Sequence, residues 1–452
     1  MLVLSSIYLF VLEVPLLQPE MTWMLIGENM SEGKIMYKDI LDDTGPFSAW
    51  VYWILVFVFG KNIWIFKLFA GAILFLQMVY LNSLFISYKS FEEITYIPAF
   101  VLMILVHLSF DILILSPALM GSTFIIFALG QLFSQTVLQK EGKDSVLLVG
   151  IFGGIAACFH FPLVFFLPYM LLVGIIISGF SFTQLLLSII GYFLPILICS
   201  VYYFWQDALP EFITEYILTS RTLEIYKHVR FRDLMLLLVT PLFFSFMGLF
   251  TGSVFKSLTV NQQKQLQLML IFLFFSASAF FLTNRIAPYQ LVIMLPALTY
   301  LISMLFLSVK KGMFLRITSI SFSLLIPIIG YSWLFWKTQN QTMDTYGVYY
   351  QNKHKITEGK TTLVLGNDLA YYQNAKQVTP YLNYHLTKEL LTDFNNLENV
   401  VMAFKHFQQF SPQVIVDEEG LFEELLEHLP ILKEQYRKSG NYFLLDTNNT
   451  KE

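Results

Sequence analysis

From Ser145 to Gln206 the chain carries no Asp, Glu, Lys or Arg. A run of that length can cross a bilayer more than once, because about 20 apolar residues make one span. The apolar runs are continuous and do not alternate with period two, which argues against a transmembrane barrel. Composition points the same way. The chain has 452 residues, 56% hydrophobic and 13% charged, where a soluble domain is about 25% charged. The sequence reads as an α-helical polytopic membrane protein.

Eleven apolar segments are expected to span, at about 1–17, 62–87, 94–110, 113–137, 145–159, 161–180, 182–204, 233–253, 265–283, 287–308 and 316–336. The stretch Pro46–Gly60 is roughly 22 Å long as a helix, short for a span. It carries Trp50, Tyr52 and Trp53, residue types that favour the membrane–water interface. It is read as an interfacial helix. That reading leaves Lys89, Lys140, Lys143, Lys256, Lys264, Lys310, Lys311 and Arg316 on the cytoplasmic side, as the positive-inside rule prefers. The loops 18–61 and 206–232 and the tail then face outward, with Arg221, Lys227, Arg230 and Arg232 in the second loop.

The net charge of −4 and the absence of a basic block give no sign of a nucleic-acid partner. Cys158 and Cys199 lie inside apolar segments and read as small buried hydrophobes. The first segment lacks a basic start and a small-residue cleavage site and reads as a retained helix. Residues 1–337 are expected to form the transmembrane domain. Residues 338–452 change to polar composition and are expected to form a small outer-facing α/β domain. Thr361–Leu365, Gln413–Val416 and Tyr442–Leu445 read as strands, and Leu421–His428 and Leu432–Lys438 as amphipathic helices.

Ionisable groups are sparse in the apolar segments. His107, Asp111, His160 and Arg285 fall near outer helix ends and together suggest a polar cavity on the outer face. The first outer loop holds Glu20, Glu28, Glu32, Lys34, Lys38, Asp39, Asp42 and Asp43. Large apolar residues run through it, among them Met21, Trp23, Leu25, Met36, Tyr37 and Ile40. They are expected to press the loop onto the membrane surface. Acids held there could act as a general base or hold a divalent cation. Gly150, Gly153 and Gly154 stand in a wholly apolar context and read as helix-packing residues, not a nucleotide loop.

The stretch GKIMYKDILDDTGPFSAWVYWILVFVFG (33–60) resembles the GT-C glycosyltransferases, relatives of protein O-mannosyltransferases and aminoarabinose lipid A transferases. Their first outer loop has a pattern like G-x-x-x-Y-x-D-x-x-D-x-x-G-P, followed by an aromatic helix ending in F-G. Weaker matches follow at 150–168, 191–212 and 284–296, and in the tail at 371–381 and 411–417.

The resemblance implies transfer of a sugar from a polyprenyl-phosphate donor to a lipid, glycan or protein acceptor, outside a bacterial inner membrane. It implies Glu20 or Asp39 as catalytic base, and Arg285, Lys38 and Arg230 as partners of the donor phosphate. Asp42 and Asp43 are then expected as ligands of a divalent metal ion or of the acceptor. Two positions depart from the family pattern. An Asp-Glu pair is here Pro19–Glu20, and a lysine before the Gly-Pro is here Thr44. The alternative is a non-catalytic envelope scaffold on the same fold, or a transporter.

Overall fold

The computed structural model describes residues 16–138, 143–219, 226–255, 258–283, 285–309, 312–339, 346–393 and 396–446. Among them, eight helical stretches are long and apolar enough to cross a membrane: Ile63–Ser87, Pro117–Thr136, Phe161–Ser178, Phe182–Trp205, Phe231–Ser253, Val260–Leu282, Pro288–Ser308 and Met313–Lys337. The protein is a polytopic helical membrane protein with a small C-terminal sheet region.

In chain order, the membrane region has α1 (Gln18–Ser31), α2 (Pro46–Phe59), α3 (Ile63–Ser87) and α4 (Ile97–Leu105), then α5 (Pro117–Leu138), α6 (Lys143–Phe159) and α7 (Phe166–Val173). It continues with α8 (Phe182–Trp205), α9 (Phe231–Phe255), α10 (Val260–Ser278), α11 (Leu295–Ser308) and α12 (Met313–Gln339).

Three of the eleven expected segments differ from these eight. The segment 1–17 lies outside the described residues except for Leu16–Leu17, which form the short strand β1. The run 94–110 contains only α4, followed by a 3-10 turn at Phe110–Leu113. That turn is fixed by Asp111, whose carboxylate accepts from Ser109 Oγ, Tyr346 Oη and Tyr289 N at 2.5, 2.7 and 2.9 Å. The run 145–159 is α6, 17 residues long.

Helix α11 is buried on nearly every side, as an all-apolar helix at the centre of a bundle should be. The outer helices show apolar side chains outward, such as Phe57, Phe182 and Phe246. Helices α6 and α8 approach so closely that a Cβ on Gly150 would collide with Ser188 O, and one on Gly154 with Tyr192 O. The glycines therefore serve helix packing. Cys158 and Cys199 face each other across the same interface as free thiols, with Sγ atoms 3.9 Å apart, well beyond the disulfide length of about 2.05 Å.

The tail carries a five-stranded sheet in the order β6–β5–β7–β9–β8. Its strands are β5 (Thr361–Leu365), β6 (Lys376–Gln377), β7 (Val414–Asp417), β8 (Tyr436–Ser439) and β9 (Tyr442–Leu445). β5 pairs in parallel with β6 and β7, while β9 runs antiparallel to β7 and β8. The parallel β5–β7 pair needs a crossover, supplied by α13 (Tyr384–Thr392) and α14 (Leu397–Phe410). Helix α15 (Leu421–His428) follows β7. Asp417 caps it by accepting from the backbone N–H groups of Leu421, Phe422 and Glu423. The expected helix at Leu432–Lys438 is corrected. Only the turn Pro430–Lys433 is helical, and Tyr436–Ser439 is an edge strand. Its burial pattern shows one buried tyrosine and three exposed residues, so paired backbone overrode helical periodicity.

Several contacts tie the tail to the membrane region, among them Lys34 Nζ to the carbonyls of Gln377 and Val378 and two backbone seams. β1 pairs antiparallel with β4 (Gly347–Val348), and Gln18 N donates to Tyr346 O at 2.8 Å. Leu41, from the acidic loop, packs into the apolar core under the tail sheet. Its N–H donates to Pro380 O, and its carbonyl accepts from Asn383 N.

Candidate active site

The acidic loop 32–45 is a folded knot, not a strap on the membrane surface. Its apolar residues Met36, Tyr37 and Ile40 are fully buried in the protein, as are Met21, Trp23 and Leu25 on α1. This corrects the expected membrane-surface role, because α1 packs against α2 instead of lying on lipid. Tyr37 takes the left-handed conformation, φ 72°. Its ring sits among Tyr203, Phe212 and Tyr216, and its hydroxyl donates to Thr44 O at 2.7 Å. The aromatic cluster holds a backbone form that a non-glycine residue rarely adopts. The knot ends at Gly45. A Cβ there would strike the backbone carbonyls of Phe159 and Cys158, so Gly-Pro marks where α2 enters against α6.

Past the knot, the chain presents Asp42, Asp43 and Thr44. Thr44 N and Oγ1 both donate to Asp42 Oδ1, at 2.9 and 2.5 Å. Asn383 Nδ2 donates to Asp42 Oδ2 at 3.2 Å. Arg285 NH2 reaches Asp42 Oδ2 at 2.6 Å and Asp43 Oδ1 at 2.5 Å. Arg285 is placed by β3 (Arg285–Ile286), which pairs in parallel with β2 (Tyr226–Lys227). The Asp42 carboxyl is raised: burial lifts it most and the neighbouring Asp43 adds to the rise, while the Arg285 guanidinium and the Thr44 donors oppose it.

This cluster separates two cavities. A cavity of about 300 Å³ lies toward the tail and is lined by Gln18, Pro19, Thr22, Asp42, His228 and Arg285. The tail closes it with Asn367, Asn383, Tyr384 and His385. A second cavity, of about 40 Å³, lies toward the bundle and is lined by Trp23, Asp43, Thr44, His160, Thr283, Arg285, Tyr289 and Gln290. There His160 Nε2 meets Gln290 Oε1 at 2.7 Å, and Gln290 Nε2 donates to Thr283 Oγ1 at 3.0 Å. Burial depresses His160 to about 4, so it is neutral at physiological pH. The Trp23 indole N–H has no acceptor among the described residues. Arg285 belongs to both cavities.

The expected site residues divide sharply. Arg285, Asp42 and Asp43 come together. Glu20 does not line either cavity. Gln18, Pro19 and Thr22 share one face of α1, and Glu20 projects from another because successive residues turn by about 100°. It caps the helix by accepting from Leu17 N at 3.1 Å. Burial raises its carboxyl, with Lys67 opposing. Asp39 closes its own turn by accepting from Ile35 N at 2.9 Å and lines neither cavity. Lys38 donates to Gln206 O at 3.3 Å, at the end of α8. Arg230 is exposed at the start of α9 and lines neither cavity. Arg221 falls outside the described residues. Of the four expected cavity residues, His160 and Arg285 share a cavity. Asp111 is bound into the fold, and His107, in the turn just past α4, bonds Met103 O.

The expected metal site does not fit the residues present. Where a cation would sit between Asp42 and Asp43 stands the Arg285 guanidinium. No group of three or more His, Cys, Asp or Glu with metal-binding spacing occurs among the described residues. Sequence reasoning missed His228, Asn367, Asn383 and His385. Asn383 had a local signal only as a helix cap, which it also is.

No family model and no curated protein matches the sequence. Among solved structures, the archaeal oligosaccharyltransferase AglB from Archaeoglobus fulgidus, in complex with an inhibitory peptide and a dolichol-phosphate, is similar at a TM-score of 0.46. The identity is 11%, over 96% of this chain and 71% of that one. At that likeness no residue role is carried from that protein to this chain.

Proposed function

We propose that this chain is a membrane glycosyltransferase that takes its sugar from a polyprenyl-phosphate donor and passes it to a hydroxyl acceptor, with Asp42, Asp43 and Arg285 as the reaction centre. The observation that carries this reading is the place of Arg285, held by two carboxylates at the wall between two cavities. The bundle-side cavity, with an unpartnered indole N–H and the guanidinium, suits a phosphate. The tail-side cavity sets amides, imidazoles and hydroxyls among apolar groups such as Leu369 and Leu382, which suits the mixed hydroxyl and C–H surface of a sugar.

The chemistry follows from the pairing. An incoming phosphate competes with Asp43 for the guanidinium and displaces it. Asp43 then accepts the acceptor's hydroxyl proton. The acceptor oxygen attacks the anomeric carbon, the bond from that carbon to the phosphate oxygen breaks, and the electron pair leaves on the lipid phosphate. Arg285 balances the charge there. Asp42, saturated by donors, fixes Arg285. Thr44, where a lysine was expected, instead orders Asp42. The membrane is proposed to be a bacterial inner membrane, with this site and the tail outside.

The test is a reconstituted assay with a panel of polyprenyl-phosphate sugars. Arg285→Gln and Asp43→Asn should lower turnover by at least about 100-fold, and Asp39→Asn by less than about fivefold. Full turnover in Asp43→Asn would remove it as the base. A second reading, a scaffold on the same architecture, draws on the acids that serve the fold: Glu20 as a cap, Asp39 in its turn and Asp111 under Tyr346. It expects no turnover with any donor and normal assembly in Asp43→Asn.

A further inference from the structure

A different cavity, of about 590 Å³, lies at the other end of the bundle. Gln135, Thr136, Lys143, Ser178, Ser181 and Lys264 line it. Its position follows from three chain segments that run between it and the bundle-side cavity of the Arg285 site. On α5, Pro117 lines that cavity and Gln135 this one. Phe161 and Ser178 are related in the same way, and so are Leu282 and Lys264. Seventeen or eighteen helical rises are about 26–27 Å, close to the roughly 30 Å of a bilayer's hydrocarbon core. The two cavities therefore sit at opposite membrane surfaces.

We propose that this cavity binds the anionic headgroup of a membrane phospholipid. Its lining has two lysines and no carboxylate among the described residues. Lys143 starts α6 and Lys264 lies in the second turn of α10, so the charges come from separate elements. Hydroxyls accompany them. Thr136 Oγ1 and Ser178 Oγ are 2.9 Å apart, and Ser181 caps α8. Gly179, in the left-handed conformation at φ 66°, turns the chain between those two serines. The size falls within the roughly 300–1,000 Å³ of small-ligand sites.

A lipid fits better than a free phosphate because of what borders the polar lining. Ile175, Ile176 and Phe182 flank the turn and are 59%, 69% and 80% exposed. Next in the chain to the lining residues Ile177 and Ser181, they offer an acyl chain an apolar surface beside the cavity. A free phosphate would use none of it. Lysine stems lie along such apolar surface while their ammonium groups stay in the polar layer.

The test uses the full chain in an uncharged detergent, titrated with a short-chain phosphatidylglycerol or with phosphatidylcholine and read by native mass spectrometry. Phosphatidylglycerol should bind in preference. Lys143→Gln or Lys264→Gln should weaken it by roughly fivefold, and the pair by about thirtyfold. Lys143→Arg/Lys264→Arg should retain binding. Thermal unfolding of each variant in the same detergent separates lost binding from lost folding. Equal binding of the two lipids, or an unchanged affinity in the folded double-Gln variant, would overturn the proposal. So would inorganic phosphate displacing the lipid at equal concentration, which would leave a free-anion site. The outcome does not depend on the glycosyltransferase reading.

Discussion

Replacing Arg285 with glutamine removes the cation shared by Asp42 and Asp43. Asp42 has no exposed side-chain surface, and Asp43 has 16%. Breaking a buried ion pair from one side destabilises by about 3–5 kcal/mol, because a charge is left without its partner. Asp42 keeps the Thr44 N–H, the Thr44 hydroxyl and the Asn383 amide, which places the expected loss at the lower end, about 3 kcal/mol. That is on the order of 150-fold in the folding equilibrium.

A double-mutant cycle isolates the pair. Wild type, Arg285→Gln, Asp42→Asn and the double variant would be unfolded in mixed micelles of increasing denaturing detergent. A coupling of about 2 kcal/mol is expected. The pH dependence gives a second readout. Burial alone raises a carboxyl, and in Arg285→Gln the guanidinium no longer opposes it. The folded variant then holds a proton that the unfolded chain releases. Its stability therefore rises as pH falls from neutrality toward the ordinary aspartate range. Additivity within about 0.5 kcal/mol, with no gain of stability on acidification, would refute the buried-cluster reasoning.

His160 is depressed to about 4 by burial, so the unfolded chain binds more protons than the folded one between that value and 6.5. Stability rises with pH across that window, and His160→Gln should flatten the rise by about 3 kcal/mol in a pH series of unfolding midpoints. Glu20→Gln keeps an oxygen that can accept from Leu17 N. It should change stability by no more than about 1 kcal/mol and leave turnover within about threefold; a complete loss would restore Glu20 as the base. Gly45→Ala sets a methyl group against the carbonyls of Phe159 and Cys158, backbone that cannot yield by rotation. A loss of about 2 kcal/mol is expected in thermal or detergent unfolding.

Hydropathy carried most of the membrane region, because a span is defined by a property each residue has on its own. The tail strands at Thr361–Leu365 and Tyr442–Leu445 were legible for the same reason. The short helix α4 was not, since the 3-10 turn that follows it is held by Asp111 meeting Tyr289 and Tyr346 far along the chain. At the site, Arg285, Asp42 and Asp43 were each visible as charges in a greasy chain. Their pairing was not, because 243 residues separate Arg285 from Asp42. The resemblance gave Asp42 and Asp43 to a metal, and only geometry shows a guanidinium in that place. Glu20 and Asp39 were attractive as acids near a membrane, but each is engaged by a backbone N–H of its own neighbourhood. Local hydrogen bonds of that kind leave no trace in composition.

The seam at Leu41 also sets an order of assembly. Leu41 N waits for Pro380 O, Leu41 O waits for Asn383 N, and Asp42 waits for the Asn383 amide, 341 residues downstream. A nascent chain emerging from the ribosome can insert all eight apolar stretches before any of these partners exists. The acidic knot is thus synthesised among the first segments and completed among the last. A chain halted before Pro380 would hold Arg285 and both aspartates but lack the tail groups that fasten Leu41 and Asp42 in place.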